Sequence, residues 1–216
     1  MWMHPMGRRL AQFSRQARIL VMGVAATLAI GSTAALAAPA ATWTVKPGGA
    51  VSIVTGKLTL VDPKTGTTIT CKSATLSGTL KSGSGLPGSR VGTIPKVSFT
   101  KCLWSGGANP DLSAALLPWH INLTSYSSGV VTGTVNHIGM MTGNAACVAA
   151  ISGHGKSGFN GIVKFTYNDR TNVGTFTGEN LQVVNEICGA ILYHVGDPIR
   201  LSASFSMHPA QSITSP

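Results

Sequence analysis

Short runs in which apolar and polar residues alternate recur along this chain, and they limit its fold more than any other feature. The clearest run is 201–208, where apolar side chains at odd positions alternate with Ser and His at even positions. Successive side chains of a β-strand point to opposite faces, so each run predicts a strand with one buried face. Turn-forming residues separate the runs, and no segment keeps a helical period. About ten to thirteen such strands predict an all-β domain, either an antiparallel β-sandwich or a β-barrel.

Two stretches allow more specific predictions. The runs 119–126 and 130–138 flank Ser127-Ser128-Gly129, which predicts a β-hairpin. The stretch Asp111–Leu117 is compatible with a short helix or with a strand, and Pro118 ends it in either case.

The first 37 residues have the layout of a helical export signal. Four arginines and no acid precede or begin the apolar run Ile19–Gly31, and Ala35-Leu36-Ala37 is a small-x-small cleavage site. We expect cleavage after Ala37, which leaves a single secreted domain over 38–216; the alternative is an uncut anchor. The pair Arg8-Arg9 is compatible with twin-arginine export, but it stands ten residues before the apolar run, which favours the general route.

The charge of the expected secreted domain is moderately positive. Loss of the signal leaves 12 basic and six acidic residues, a net charge of +6 against +10 for the whole chain. An excess of this size favours anionic partners such as wall polymers or lipid headgroups. The lysines are scattered, however, and no basic cluster indicates nucleic-acid binding. No second long apolar run follows the signal, so we expect no transmembrane span after cleavage.

All four cysteines lie in the expected secreted part. An even number in an exported chain indicates two disulfides, for which three connectivities exist. We expect Cys71–Cys102 and Cys147–Cys188, one in each half of the domain. No C-x-x-C or Cys/His spacing of a metal site is present, so we expect no metal.

Two aromatic positions are candidates for ligand binding. Trp104 lies in a Gly-rich stretch close to Asn109 and Asp111, and Trp119 is followed by His120. Indole rings beside amide and carboxylate groups suit sugar rings, through apolar stacking and hydrogen bonds. The alternative is that Trp119 belongs to the core and that Trp104 covers the Cys102 disulfide.

Catalytic motifs are weak throughout. Serine-hydrolase chemistry needs a nucleophile, a base and a carboxylate, and no G-x-S-x-G motif is present. His137 shares the inward parity of Val131 and Val135, which predicts a buried core histidine. Three of the six acids, Asp62, Asp169 and Asp197, lie in turn sequences, and Glu179 and Glu186 would face opposite ways on one strand, so a catalytic carboxylate pair has no support. Gly155-Lys156-Ser157 is only the tail of a phosphate-binding loop. We expect no catalytic residue and no cofactor.

Several fragments together resemble a known group of proteins. They are ATWTVKPGG at 41–49, SGTLKSGSGL at 77–86, LPW at 117–119, GDP at 196–198 and QSITSP at 211–216. On these the chain resembles a family of small exported actinobacterial proteins with a signal peptide and four cysteines. The resemblance covers essentially the whole secreted part and implies an exported, β-rich domain. It implies no chemistry, because that family has no assigned activity.

The sequence therefore favours a secreted or wall-associated binding or structural protein without enzymatic activity, with a wall polymer or glycan as its partner. One alternative is a hydrolase acting on polysaccharide or peptidoglycan. Another is an inhibitor of an extracellular protease that presents the Gly- and Ser-rich segment Lys81–Arg90, which predicts a flexible loop. The sequence sets neither the ligand nor the oligomeric state.

Overall fold

A computed structural model describes residues 42–105, 109–144, 147–154, 160–188 and 193–216. The expected signal peptide lies outside these residues. Pro39–Pro216 forms one compact unit, and every helix-or-strand element in its described ranges is a β-strand. The predicted all-β fold is confirmed, and Asp111–Leu117 contains a strand rather than a helix.

Thirteen strands follow one another along the chain. They are β1 (Thr42–Lys46), β2 (Gly49–Val61), β3 (Thr68–Leu80), β4 (Gly83–Pro87), β5 (Gly92–Trp104), β6 (Asp111–Ala115), β7 (Trp119–Ser127), β8 (Val130–Asn144), β9 (Cys147–Ser152), β10 (Gly161–Asn168), β11 (Val173–Cys188), β12 (Pro198–His208) and β13 (Ser212–Thr214). The predicted hairpin is the pair β7–β8.

Ten of these strands build a closed antiparallel barrel. Its wall runs in the order β2, β3, β5, β7, β8, β10, β11 and β12, and β12 pairs with β2 to close the ring. Along the second half of β8, the short strand β6 replaces β7 as its neighbour on one side. The short strand β9 replaces β10 as its neighbour on the other side. The wall is therefore interrupted on both sides of β8 at one level, near Ile138 and Gly139.

Among the residues that the structure describes, side chains fill the inside of the barrel. Inward residues of the strands are almost all apolar, and the space left among them is about 30 Å³. That volume is close to the share of one water molecule in the liquid. An aromatic cluster fills part of the core: the ring of Phe205 stacks on Phe176 with centroids 4.3 Å apart and lies 6.3 Å from Tyr167.

The strands β13, β1 and β4 form a separate three-stranded sheet. The chain connects each of them to barrel strands that begin or end at the same rim of the barrel. Trp43, Val45 and Ile213 are buried in it, and Gln211 accepts a hydrogen bond from the Gly48 amide at 2.9 Å. The segment Lys81–Arg90, expected to be a flexible loop, contains β4, which pairs with β1. That expectation was wrong because pairing with β1 satisfies the backbone groups of this Gly-rich segment.

The opposite rim of the barrel buries several polar groups. Asp197 accepts hydrogen bonds from the His194 amide and pairs with Lys64 Nζ at 3.1 Å. Burial alone raises the pKa of Asp197, but the hydrogen bonds from Lys64 and His194 hold it below its usual value. Burial also raises the pKa of Tyr193 to about 12. These groups stabilise the turn that precedes β12.

One of the two expected disulfides is confirmed. Cys71 and Cys102 are joined, and they stand directly opposite each other in the register of β3 and β5. Cys147 on β9 is likewise opposite Cys188 on β11 along the backbone. The side chain of Cys188 lies outside the described residues, so the second bridge stays a prediction.

Candidate functional site

Both tryptophans proposed as sugar platforms are buried. Trp104 is 6% exposed and Trp119 is 4% exposed, and the Trp119 indole donates a hydrogen bond to the carbonyl oxygen of Ala115 at 3.0 Å. A ring without an exposed face cannot stack on a sugar from solvent. The burial of Trp119 agrees with the alternative stated above, in which this ring belongs to the core. Trp104 is buried on the same face of β5 as Cys102, as expected of a ring that covers the disulfide.

Asn109 and Asp111 line a separate groove, which we call the seam groove. It is about 470 Å³ in volume and runs between β5 and β6, which are not hydrogen-bonded to each other in the described part of the chain. Phe99 and Leu103 form apolar parts of its wall, and Lys101 is its cation. His120 does not line this groove, so the five proposed binding residues do not form one site.

His120 instead lines a polar pocket on the outer wall of the barrel, which we call the side pocket. Its volume is about 340 Å³. Its lining consists of one arginine, two histidines, three asparagines and one isoleucine: Arg90, His120, His137, Asn122, Asn136, Asn160 and Ile162. Among these described lining residues no side chain is acidic.

The register of the barrel explains why these side chains converge. His120 on β7 stands opposite Asn136 on β8, and Asn136 stands opposite Ile162 on β10. Alternate residues of neighbouring strands share one face, so these three point to the outside together. Thr93 on β5 extends the same row on the other side of His120.

His137 joins the pocket through a β-bulge. Asn136 pairs with Ile162 and Ile138 pairs with Gly161, so His137 is an extra residue without a partner on β10. Its φ of 67° is left-handed, as a bulge of this kind requires. The expectation of a buried core histidine was wrong, because the bulge turns the side chain to the outside, where it is exposed.

The two histidines lie next to each other in the pocket. Their rings stack with centroids 6.0 Å apart, and His137 Nδ1 donates to the carbonyl oxygen of Pro118 at 3.4 Å. The pKa of His120 is lowered, first by burial, then by the positive charge of Arg90 and by His137. The pocket is therefore an electropositive environment that disfavours a further positive charge.

Hydrogen bonds of the backbone at Arg90 and Val91, rather than an ion pair of the Arg90 side chain, hold Arg90 in position. Its amide donates to Asn122 Oδ1 at 2.9 Å, and its φ of 48° is left-handed. The neighbouring Val91 amide donates to the carbonyl oxygen of Ile121, which continues the contact along β7. Among the described ion pairs none involves Arg90, so its guanidinium is available to a ligand.

Two atoms of the pocket residues have unused hydrogen-bonding capacity. His120 Nδ1 and Asn136 Oδ1 are shielded from solvent and have no hydrogen-bond partner among the described residues. An unsatisfied buried polar group costs about 1–3 kcal/mol, and most buried polar groups of folded proteins are paired, so these two atoms are exceptions among the described residues.

No protein-family model, curated protein or solved structure matches this chain. The resemblance to exported actinobacterial proteins therefore stays a prediction from the sequence. The described ranges contain no helix long and apolar enough to cross a membrane. In the same ranges no group of three or more His, Cys, Asp or Glu side chains could hold a metal ion.

Of the pocket residues, the sequence indicated only His120 as a binding residue. Asn122 and Asn136 stand at polar positions of alternating runs, a pattern shared by most outward residues of the chain. Arg90 and Asn160 stand in Gly- and Ser-rich connections that carry no binding motif. Only the strand register shows that these residues meet.

Gly161 pairs with Ile138 directly beside the bulge, and its replacement tests how closely the two strands approach there. A Cβ at this position would lie 2.3 Å from the carbonyl oxygen of Ile138, too close for any side chain. We expect Gly161→Ala to lower the free energy of unfolding by about 1–3 kcal/mol and to shift the NMR signals of His137. Gly56→Ala is the control, since its nearest neighbour is the Ser204 hydroxyl at 3.2 Å. Equal stability of the two variants would contradict this account of the bulge.

Proposed function

We propose that the protein is an exported, non-enzymatic binding protein that recognises a cell-wall polymer or glycan through the side pocket. The observation that carries the proposal is the convergence of Arg90, two histidines and three asparagines in one concave site. Amide groups beside a cation provide hydrogen bonds in several directions, which suits a ligand that carries many hydroxyl groups.

The placement of the acids favours binding over hydrolysis. A glycosidase needs two carboxyl groups that face one cleft. Asp62 and Asp197 are buried in turn structures, where their oxygens accept backbone hydrogen bonds. Asp111 lines the seam groove, and no acid is among the described residues that line the side pocket. The hydrolase alternative therefore has no supporting observation in the described residues.

The inhibitor alternative depended on a free loop at Lys81–Arg90. Inhibitors of proteases present an extended segment that a protease cleft can enclose. Here Gly83–Pro87 forms a paired strand, and Arg90 lines the side pocket. The segment is thus committed to contacts within the protein.

Export from the cell is part of the proposal and has its own test. The basic and apolar layout of 1–37 supports it. N-terminal sequencing of secreted protein is expected to read Ala38-Pro39-Ala40. A sequence that begins at Met1 would contradict cleavage.

Co-sedimentation with purified cell walls and insoluble polysaccharides tests the binding function. We expect the oxidised, exported protein to pellet, and His137→Ala to weaken pelleting at least about tenfold, which corresponds to the loss of one charged or well-placed hydrogen bond. His208→Ala is the matched control, because this histidine is also exposed but bonds Ser206 on β12.

Three results would count against the proposal. Absence of pelleting would remove the proposed function for insoluble ligands. Equal pelleting of both histidine variants would place the binding surface outside the side pocket. Complete loss of pelleting in about 0.5 M salt, together with equal pelleting of the two histidine variants at low salt, would mean that the net charge of +6 causes the pelleting.

A further inference from the structure

Among the described residues that line the side pocket, those that can carry a charge, Arg90, His120 and His137, are all basic. Arg90 comes from the connection between β4 and β5, and His137 comes from β8. The row of outward residues next to His120 contributes Thr93, Asn136 and Ile162, none of which ionises. The next cation along β10 is Lys164, which also points outward.

Arg90 is an exposed cation without an acidic partner among the described ion pairs. Its positive charge, after burial, lowers the pKa of the neighbouring His120. The positive charge of Arg90 therefore disfavours a positive charge on His120 in the empty pocket. An anion beside both groups attracts the guanidinium and offsets that effect.

We propose that the group recognised in the side pocket is an oxyanion, a carboxylate or a phosphate carried on a sugar, held by the Arg90 guanidinium with His120 and His137 beside it. This inference rests on the proposed function and names the chemical class of its ligand. The guanidinium offers paired N–H donors that match the two oxygens of either anion. The amides of Asn136 and Asn160 are left for the sugar hydroxyl groups, while the Asn122 amide is engaged by the Arg90 amide and by Thr134.

A bound anion changes the protonation of the pocket. In the empty pocket burial, Arg90 and His137 lower the pKa of His120, so the imidazole is neutral at neutral pH. A negative charge nearby favours the imidazolium and raises this pKa. Binding of a carboxylate therefore takes up a proton, and its affinity rises as the pH falls from 8 to 5.5, where the carboxylate keeps its charge. A phosphate monoester, whose second pKa is about 6, keeps at least one negative charge over this range. Each unit of increase in the His120 pKa corresponds to tenfold tighter binding at low pH.

Calorimetric titration of the exported protein with three probes tests the inference. The probes are oligogalacturonate for the carboxylate, glucose 1-phosphate for the phosphate, and maltotriose as the neutral sugar. We expect one of the two anionic probes to bind at least about tenfold more tightly than maltotriose, with proton uptake that is measurable in buffers of different ionisation enthalpy. Which anion binds identifies the source of the charge.

A pair of arginine variants separates local recognition from overall charge. Arg90→Ala and Arg200→Ala remove the same charge, but Arg200 lies on β12, outside the pocket. We expect Arg90→Ala to lose at least about tenfold in affinity for the anionic probe, and Arg200→Ala to bind like the wild type. Urea unfolding of both variants checks that they are folded.

The outcomes distinguish this inference from the proposed function. If maltotriose binds as tightly as the anions, or if no probe binds while cell walls still pellet the protein, the oxyanion is wrong and the binding function stands. Equal losses in the two arginine variants would also overturn it. If walls do not pellet the protein and no probe binds, both proposals fail.

Discussion

Replacing Phe205 by alanine is expected to lower the free energy of unfolding by about 3–5 kcal/mol. The side chain is 3% exposed and lies at the centre of the aromatic cluster, stacked on Phe176 and Tyr167. It also covers the bare backbone of Gly174, its partner on β11, where a Cβ would lie 2.3 Å from the ring. Because the interior is otherwise filled, the strands cannot close over the space that the ring leaves.

Urea unfolding measures this effect, with Val173→Ala as the control. Val173 is an apolar residue of the same strand pair but is 48% exposed, so its truncation is expected to change stability by no more than about 0.5 kcal/mol. A loss below about 1 kcal/mol in Phe205→Ala would mean that the core is not packed as described.

Removal of the Cys71–Cys102 bridge is expected to have the second largest effect on stability. The two cysteines are 31 residues apart in the chain, and closing a loop of that length stabilises the folded state by about 3–4 kcal/mol through the entropy of the unfolded chain. The bridge joins β3 to β5. The other edge of β5 pairs with β7 only over Gly92–Ile94. Beyond these three residue pairs, β5 depends on its pairing with β3, which the bridge reinforces.

The double variant Cys71→Ala with Cys102→Ala removes the bridge without leaving a free thiol. Its unfolding midpoint in urea is compared with that of the wild type under oxidising and reducing conditions. We expect reduction to destabilise the wild type and to affect the variant less. Equal stability of wild type and variant under oxidising conditions would contradict a stabilising role for the bridge.

The strands themselves could largely be predicted from the sequence. Alternation at 201–208 gives β12 with Leu201, Ala203, Phe205 and Met207 inside, as the structure has them. The hairpin β7–β8 also follows from local turn residues. These features depend on neighbouring residues along the chain, which is what a sequence pattern records.

The closure of the barrel and the side pocket could not be predicted in this way. The β12–β2 pairing joins residues that are far apart in the chain, such as Arg200 with Val61, and periodicity carries no information about such pairs. The bulge at His137 breaks the alternation by one residue and reverses the face of the side chain. Arg90 reaches the pocket only because its loop runs along β7.

The two tryptophans proposed as sugar platforms also show what a sequence pattern cannot distinguish. Trp104 and Trp119 stand beside polar residues in the sequence, which is typical of both sugar platforms and strand ends that face a core. Only their burial distinguishes the two. The candidate site consequently moves from these rings to the outward row that His120 shares with Asn136.

The central claim is that the ligand occupies the side pocket on the wall of a filled barrel. NMR spectra of the side-chain signals of His, Asn and Arg, recorded while solubilised cell-wall polymer is added, test it most directly. We predict saturable shifts at Arg90, His120, Asn136 and His137, with the signals of Asn109 unchanged. Shifts confined to Asn109 and Lys101 would place the ligand in the seam groove and contradict the claim.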